Sequence, residues 1–154
     1  MLVKNKSEGF IVLNFLKFYL TKGNKEISEN IMKHSLAILK KIKKTNPISV
    51  IAFSVEIVKP FCEIKSLKIG GSNYKVPTEI HPVRQRVLAI KFIVSNSNKR
   101  NEKFASYRIA MEIFDTFSLS SQSIKKCDDV HKIAEANKVY IQYRNFTSPS
   151  SYIT

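Results

Sequence analysis

The sequence has no tryptophan, four glycines and only 12 acidic residues against 26 basic ones. That acid deficit leaves a formal charge of +14. It points to an anionic partner, a nucleic acid or an anionic membrane surface, without choosing between them. Cys62 and Cys127 are too few for a disulfide framework or a zinc cluster and fit a reducing or neutral compartment. No apolar run reaches the roughly 18–20 residues that span a bilayer. The longest, 10–20, contains Asn14 and Lys17. No signal peptide is evident, and a transit peptide would be rich in arginine, whereas the first arginine here is Arg84. His34, His81 and His131 fall in separate segments. Cys127 and His131 stand four apart, like half of a zinc site, but no second pair completes it. There is no nucleophile elbow, P-loop or recognisable carboxylate pair. The expectation is no enzyme, no cofactor and no metal. No internal repeat is found.

What is present suits one domain over 1–154, with 44% apolar residues. A chain of this size buries roughly 68–70% of its unfolded surface, enough for a true core. Lysine outnumbers arginine 21 to 5, and isoleucine, asparagine and phenylalanine are abundant. These residues have A- and T-rich codons. The composition suggests an AT-biased, organellar genome, mitochondrial or alternatively plastid, which would remove the need for a transit peptide.

Helical signals dominate, placed within 8–59 and 82–146 around a ribbon at about 61–80. Residues 10–20 are apolar nearly all round, with Phe10, Leu13 and Leu20 among them, as in a core helix. Gly23 suits a helix C′ position, and Lys22 and Lys25 in that turn are candidates to face phosphate. A second helix, about 26–43, carries Ile27, Ile31, Ile38 and Ile42 on one face. The lysines at its end, Lys40, Lys41, Lys43 and Lys44, are explained by the helix dipole without a ligand. Asn46-Pro47 starts a third helix with Val50, Ile51, Val55 and Val58 as its apolar positions. Pro82 opens a fourth, with Val83, Val87, Ile90 and Val94 inward and Arg84, Lys91, Ser95 and Asn98 on a polar stripe. The polar stretch 95–103 is read as a loop exposing Lys99 and Arg100. A fifth helix places Phe104, Tyr107, Met111 and Phe114 in the core; Tyr107 is otherwise a platform for a base. Residues 118–123 read as a flexible connection. Cys127 or Asp128 caps the last helix, with Asp129 in its first turn. Val130, Ile133, Ala134 and Ile141 form its apolar face and Lys132, Lys138 and Arg144 its basic one. The tail 147–154 reads as loose.

Gly70-Gly71 lies between two β-compatible runs, 61–69 and 72–80, and two glycines allow the positive φ angles of a tight hairpin turn. Pro77 cannot donate to a ladder, so the second strand is not central in a larger sheet. The result is a projecting two-stranded ribbon with Lys65, Lys68 and Lys75 on both sides. An isolated ribbon is marginal in water, and a basic one suits an anionic partner that orders it. Arg84 and Arg86 fall where ribbon meets helix, the best candidate for clasping phosphate, since arginine can do so bidentately.

Two blocks carry a wider resemblance: KIGGSNYKVPTEIHPVRQRVLAIKFIV at 68–94 and DDVHKIAEANKVYIQYR at 128–144. The sequence resembles the S-seven family of small-subunit ribosomal proteins. There, a basic ribbon with a Gly-Gly-Ser turn, then Tyr, Val-Pro and Arg, leads into an apolar helix, and the last helix carries His-x-x-Ala-Glu-Ala-Asn-Lys. The resemblance covers about 10–146. It implies a mainly α fold, about six helices with one protruding β-ribbon. It implies a primary rRNA-binding protein of the 3′ major domain that helps assemble the subunit head, near the exit-site tRNA and mRNA exit path. Neighbours of the S-nine and S-eleven type are implied as partners, and no membrane. Carried over by position, Lys65, Lys68, Ser72, Tyr74, Lys75, Arg84 and Arg86 would contact rRNA, joined by Lys91, Lys132, Lys138 and Arg144. The sequence departs from bacterial members in its few residues before the first helix, with Lys4 and Lys6 the only cations there. It lacks their basic C-terminal extension, and Gln85 and Lys91 stand where arginine is common. Two other readings fit the charge: an architectural DNA-binding protein using helices and a ribbon, and, less well, a membrane-surface protein.

Overall fold

A computed structural model describes the backbone of residues 6–20 and 23–146. Lys22, Lys4, the side chains of Lys6 and Phe10, and the tail 147–154 lie outside the described residues. The element order is α1 (Lys6–Tyr19), α2 (Lys25–Lys43), α3 (Pro47–Val58), β1 (Cys62–Ile69), β2 (Ser72–Glu79), α4 (Pro82–Ser97), α5 (Ala105–Phe117) and α6 (Gln122–Ala136). A 3₁₀ segment, Lys138–Phe146, follows. The fold is therefore mainly helical with one antiparallel ribbon, as expected.

Helix α5 is the hub and packs on α2, α3, α4 and α6. Ile109 and Ile113 on α5 meet Ile51, Val55 and Val58 of α3 and Ile90 and Ile93 of α4 in one core, with Phe15 and Leu39 closing it. Each such side chain contributes about 1.5–3 kcal/mol by leaving water. The third helix forms as its sequence dictates. Asn46 accepts from the Ile48 amide at 3.2 Å, Pro47 fills the first turn, and all four expected apolar positions are buried.

Other helices are rotated or shifted from the expectation. On α2 the buried stripe is Ser28, Met32, Ser35 and Leu39; Ile27 and Ile42 are exposed and Ile31 and Ile38 half-buried. The two serines can turn inward because their hydroxyls are satisfied by their own helix: Ser28 donates to the Lys25 carbonyl and Ser35 to that of Ile31. That frees the isoleucines to sit at the margin. On α1, Ile11 and Phe15 are buried, but Leu13 and Leu20 face outward. Val83 is exposed at the start of α4. Phe104, the N-cap of α5, and Tyr107 on it are exposed, and Met111 and Phe114 only half-buried. The core face there is Ile109, Ala110 and Ile113.

The last helix begins earlier than expected. Ser121, not Cys127 or Asp128, is its N-cap, accepting from the Ser123 amide at 2.8 Å. Asp129 therefore sits mid-helix, and 122–123 are helical rather than a flexible connection. The helix also ends earlier, at Ala136, so Lys138 and Arg144 lie on the 3₁₀ segment. Ala134 is buried, whereas Ile133 and Ile141 are exposed.

Candidate nucleic-acid interface

The ribbon turns on two residues. Ile69 pairs with Ser72, and Gly70 and Gly71 have φ of 57° and 88°. Two successive positive values are what a type I′ turn requires, and its twist matches that of the strands. Directly opposed residues share a face. Lys65 and Val76, and Leu67 and Tyr74, therefore occupy one face; Ser66 and Lys75, and Lys68 and Asn73, occupy the other.

The ribbon is anchored at its base and along one strand. Val76, Pro77, Thr78 and Ile80 are buried, while 70–73 at the tip are exposed. The 3₁₀ segment lies against β2. Tyr74 meets Tyr140 and Tyr143 with ring centroids 5.1 and 5.6 Å apart, and Arg144 approaches Glu79 at 3.6 Å. Helix α6 supports β1: the His131 ring stacks on Phe61 at 5.7 Å and its Nε2 accepts from the Phe61 amide. His131 is thus turned to the ribbon. Cys127 is buried, and its thiol is pushed up to about 11 by burial, with Asp128 and Cys62 adding to the effect.

At the junction, Arg84 Nε donates to Glu63 Oε2 at 2.9 Å, with Nη2 2.8 Å from the same carboxylate. Lys65 stands 3.9 Å from Glu63, and Arg86 3.5 Å from Glu56 of α3. Both arginines are at least partly exposed, so a phosphate can compete for them. The ribbon brings together Lys65, Lys68, Ser72, Tyr74 and Lys75 with Arg84 at its base. Tyr74 is half-buried against the other tyrosines rather than open to a base. Lys68, Lys75 and Lys138 are exposed and have no ion pair among the described residues.

The remaining candidates lie on the helices and the α4–α5 loop. Lys25 pairs with Glu29 at 3.6 Å on α2, and Lys132 is exposed on α6. Lys91 and Lys99 form a second basic group with Lys126, which sequence reasoning missed. Burial and the two neighbouring lysines lower the Lys126 pKa; its ammonium donates to Ser95 Oγ at 2.9 Å and lies 5.0 Å from the Phe92 ring centroid. The Lys125-Lys126 pair within a helical stretch was the available signal.

Arg100 corrects the expectation of an exposed loop cation. Its guanidinium reaches Glu102 and Glu112 at 2.9 Å and Asp115 at 2.7 Å. Burial pulls its pKa down, but these hydrogen bonds outweigh it and hold it above the ordinary arginine value. Glu112 is itself buried and accepts from the Ser121 and Ser123 hydroxyls, both at 2.7 Å. This cluster ties the α4–α5 loop to the start of α6.

The family profile described as "Ribosomal protein S7p/S5e" matches residues 2–138. The chain belongs to this family. It is 39% identical over 139 residues to "Small ribosomal subunit protein uS7" of Syntrophus aciditrophicus, covering 90% of this chain and 89% of that one. The protein of the same name from Mycoplasma genitalium is 40% identical over 134 residues, 87% of this chain and 86% of its own. That from Magnetococcus marinus is 35% identical over a similar span of 134 residues. The ribbon, α4 and α6 all lie inside the family match; the tyrosines that hold Tyr74 lie just beyond it.

Proposed function

We propose that this chain is a structural constituent of the small ribosomal subunit that binds its rRNA, and not an enzyme. The observation that carries this is the ribbon: Lys68 and Lys75 are exposed, with no ion pair among the described residues, on a hairpin whose base is buried and whose second strand is held by tyrosines. A basic element with a fixed shape suits a folded RNA, where phosphate spacing matters more than base identity. Lys65, Lys68, Ser72, Lys75, Arg84 and Lys138 form the main contact. Arg86, Lys91, Lys99 and Lys132 extend it. Arg100 acts in the fold instead, and Tyr74 through packing. The mechanism is electrostatic: phosphate neutralisation releases counterions while the helices keep the cations in register.

The family resemblance supports a finer placement, on the 3′ major domain in the subunit head, near the exit-site tRNA and mRNA path and neighbours of the S-nine and S-eleven type. The 21-to-5 excess of lysine over arginine supports an organellar ribosome, mitochondrial before plastid. No described helix is long and apolar enough to cross a membrane.

Sedimentation of a native organelle lysate tests the proposal. The protein should comigrate with the small subunit at low and high salt. A protein that stays at the top of the gradient, or follows genomic DNA, would overturn it in favour of the architectural DNA-binding alternative.

A further inference from the structure

A groove of about 510 Å³ opens between α2 and the start of α5, away from the ribbon elements. Its floor is Ala37, Ile38 and Ile42, and Phe104 and Tyr107 form the other wall. Ile42, Phe104 and Tyr107 are 42%, 60% and 50% exposed, so three large apolar side chains are left together on a surface that is otherwise strongly basic. Isolated exposed apolar residues are ordinary, but a contiguous cluster lining a concavity marks an interaction site. Lys41 lines the same groove, the Lys103 ammonium lies 5.7 Å from the Phe104 ring centroid, and no acidic side chain is among the lining residues.

From this combination we infer that the α2–α5 groove docks an acidic protein segment that inserts an aromatic or branched aliphatic side chain. The apolar floor supplies desolvation and shape, and the lysines select for Asp and Glu flanking the anchor. A nucleic acid fits the groove less well than a protein segment does, since Ala37, Ile38 and Ile42 offer it no hydrogen-bond donor and, besides the lysines, only His34, Ser106 and the Tyr107 hydroxyl could. The α2 isoleucines explain why the groove exists: Ser28 and Ser35 take the inward positions, leaving Ile42 beside the α5 aromatics. This inference is independent of the ribbon's role.

A fluorescein-labelled 15-residue peptide with one Leu-Phe pair flanked by Glu and Asp, titrated against the full chain, tests it. Controls are the same peptide with Lys for each acid, the same with Ser for Leu-Phe, and a 15-mer of oligouridylate. The acidic apolar peptide should bind at least about tenfold tighter than either peptide control. The double variant Phe104→Ser with Tyr107→Ser should lose about tenfold, and Lys41→Glu should lose several-fold while keeping native circular dichroism. Both aromatics are exposed, so the fold should survive. Equal binding of all peptides, or an unchanged affinity in the double variant, overturns the inference. So does oligouridylate binding that the double variant weakens, which would make the groove a base-stacking site. A photo-cross-linker at Ala37 in gradient-purified subunits extends the test. Reaction with an acidic, aromatic- or leucine-containing protein segment supports the docking site; reaction with rRNA, with another kind of segment or with nothing overturns it.

Discussion

Arginine is used in two ways at two junctions of this molecule. At the ribbon base, Arg84 and Arg86 each meet one carboxylate and keep much of their surface in water. In the α4–α5 loop, Arg100 meets three, and one of them, Glu112, is fully buried with two serine hydroxyls on its other oxygen. An exposed pair is worth about 0.2–1 kcal/mol and can exchange its partner for a phosphate. Breaking a buried pair costs about 3–5 kcal/mol because the remaining charge has no solvent to turn to. The first kind can serve binding because it holds so little of the fold. The second is committed to the fold through three carboxylates at once.

The largest effect should come from the buried side. Arg100→Ala should destabilise the chain by about 3–5 kcal/mol in urea unfolding, since it strands Glu112. A loss below about 1 kcal/mol would put Arg100 in the same class as Arg84 and erase the distinction. Next, Tyr74→Ala should loosen the ribbon by about 2 kcal/mol, from two lost ring contacts and their buried area. Hydrogen exchange should then rise in β1 and β2 while α3 and α5 stay protected; uniform exchange would mean that the ribbon and core unfold together. A Lys75→Ala, Arg84→Ala double variant should change stability by less than about 1 kcal/mol yet weaken rRNA binding and reduce its salt slope by about one to two units. An unchanged slope would remove both from the contact surface. The smallest effect belongs to Glu102. Its carboxyl is held below the usual range, by a backbone hydrogen bond first and then Arg100 and Arg108. A depressed folded pKa means its stabilising share is present above the ordinary carboxylate value and lost as pH falls through the lower folded one. Glu102→Gln should flatten that acid limb slightly; an unaltered limb would show that Glu102 has no share in it.

Much of this was legible in the residues, and what was not has physical causes. The Gly-Gly turn, the Asn46-Pro47 start and the inward face of α3 follow from backbone chemistry local to a few positions, so the sequence states them directly. The α2 stripe was misread because hydrophobicity alone ranks isoleucine above serine. Inward serine is tolerated when an acceptor takes its proton, as the Ile31 carbonyl of the same helix does for Ser35. The α6 start was misplaced for a related reason. Ser121 caps through its oxygen, and Glu112, nine residues earlier, takes up its hydroxyl proton, which fixes it in that role. Arg100 looked exposed because its partners Glu112 and Asp115 lie on the next helix, and only folding brings them near. The sequence names the ribbon cations proposed to meet RNA, but not which of them pair with carboxylates, since Glu63 and Glu56 reach Arg84 and Arg86 across the tertiary structure.

The clasp on Tyr74 also sets an order of events during synthesis. Tyr140 and Tyr143 lie about 66 and 69 residues downstream of the tyrosine they hold. At roughly 5–20 residues per second, several seconds separate the emergence of the ribbon from that of its support. Through that interval the hairpin has its Gly-Gly turn but no tyrosine cover, and a two-stranded piece is marginal alone. The ribbon proposed to meet RNA therefore gains its tyrosine support only once residues 140–143 have been made.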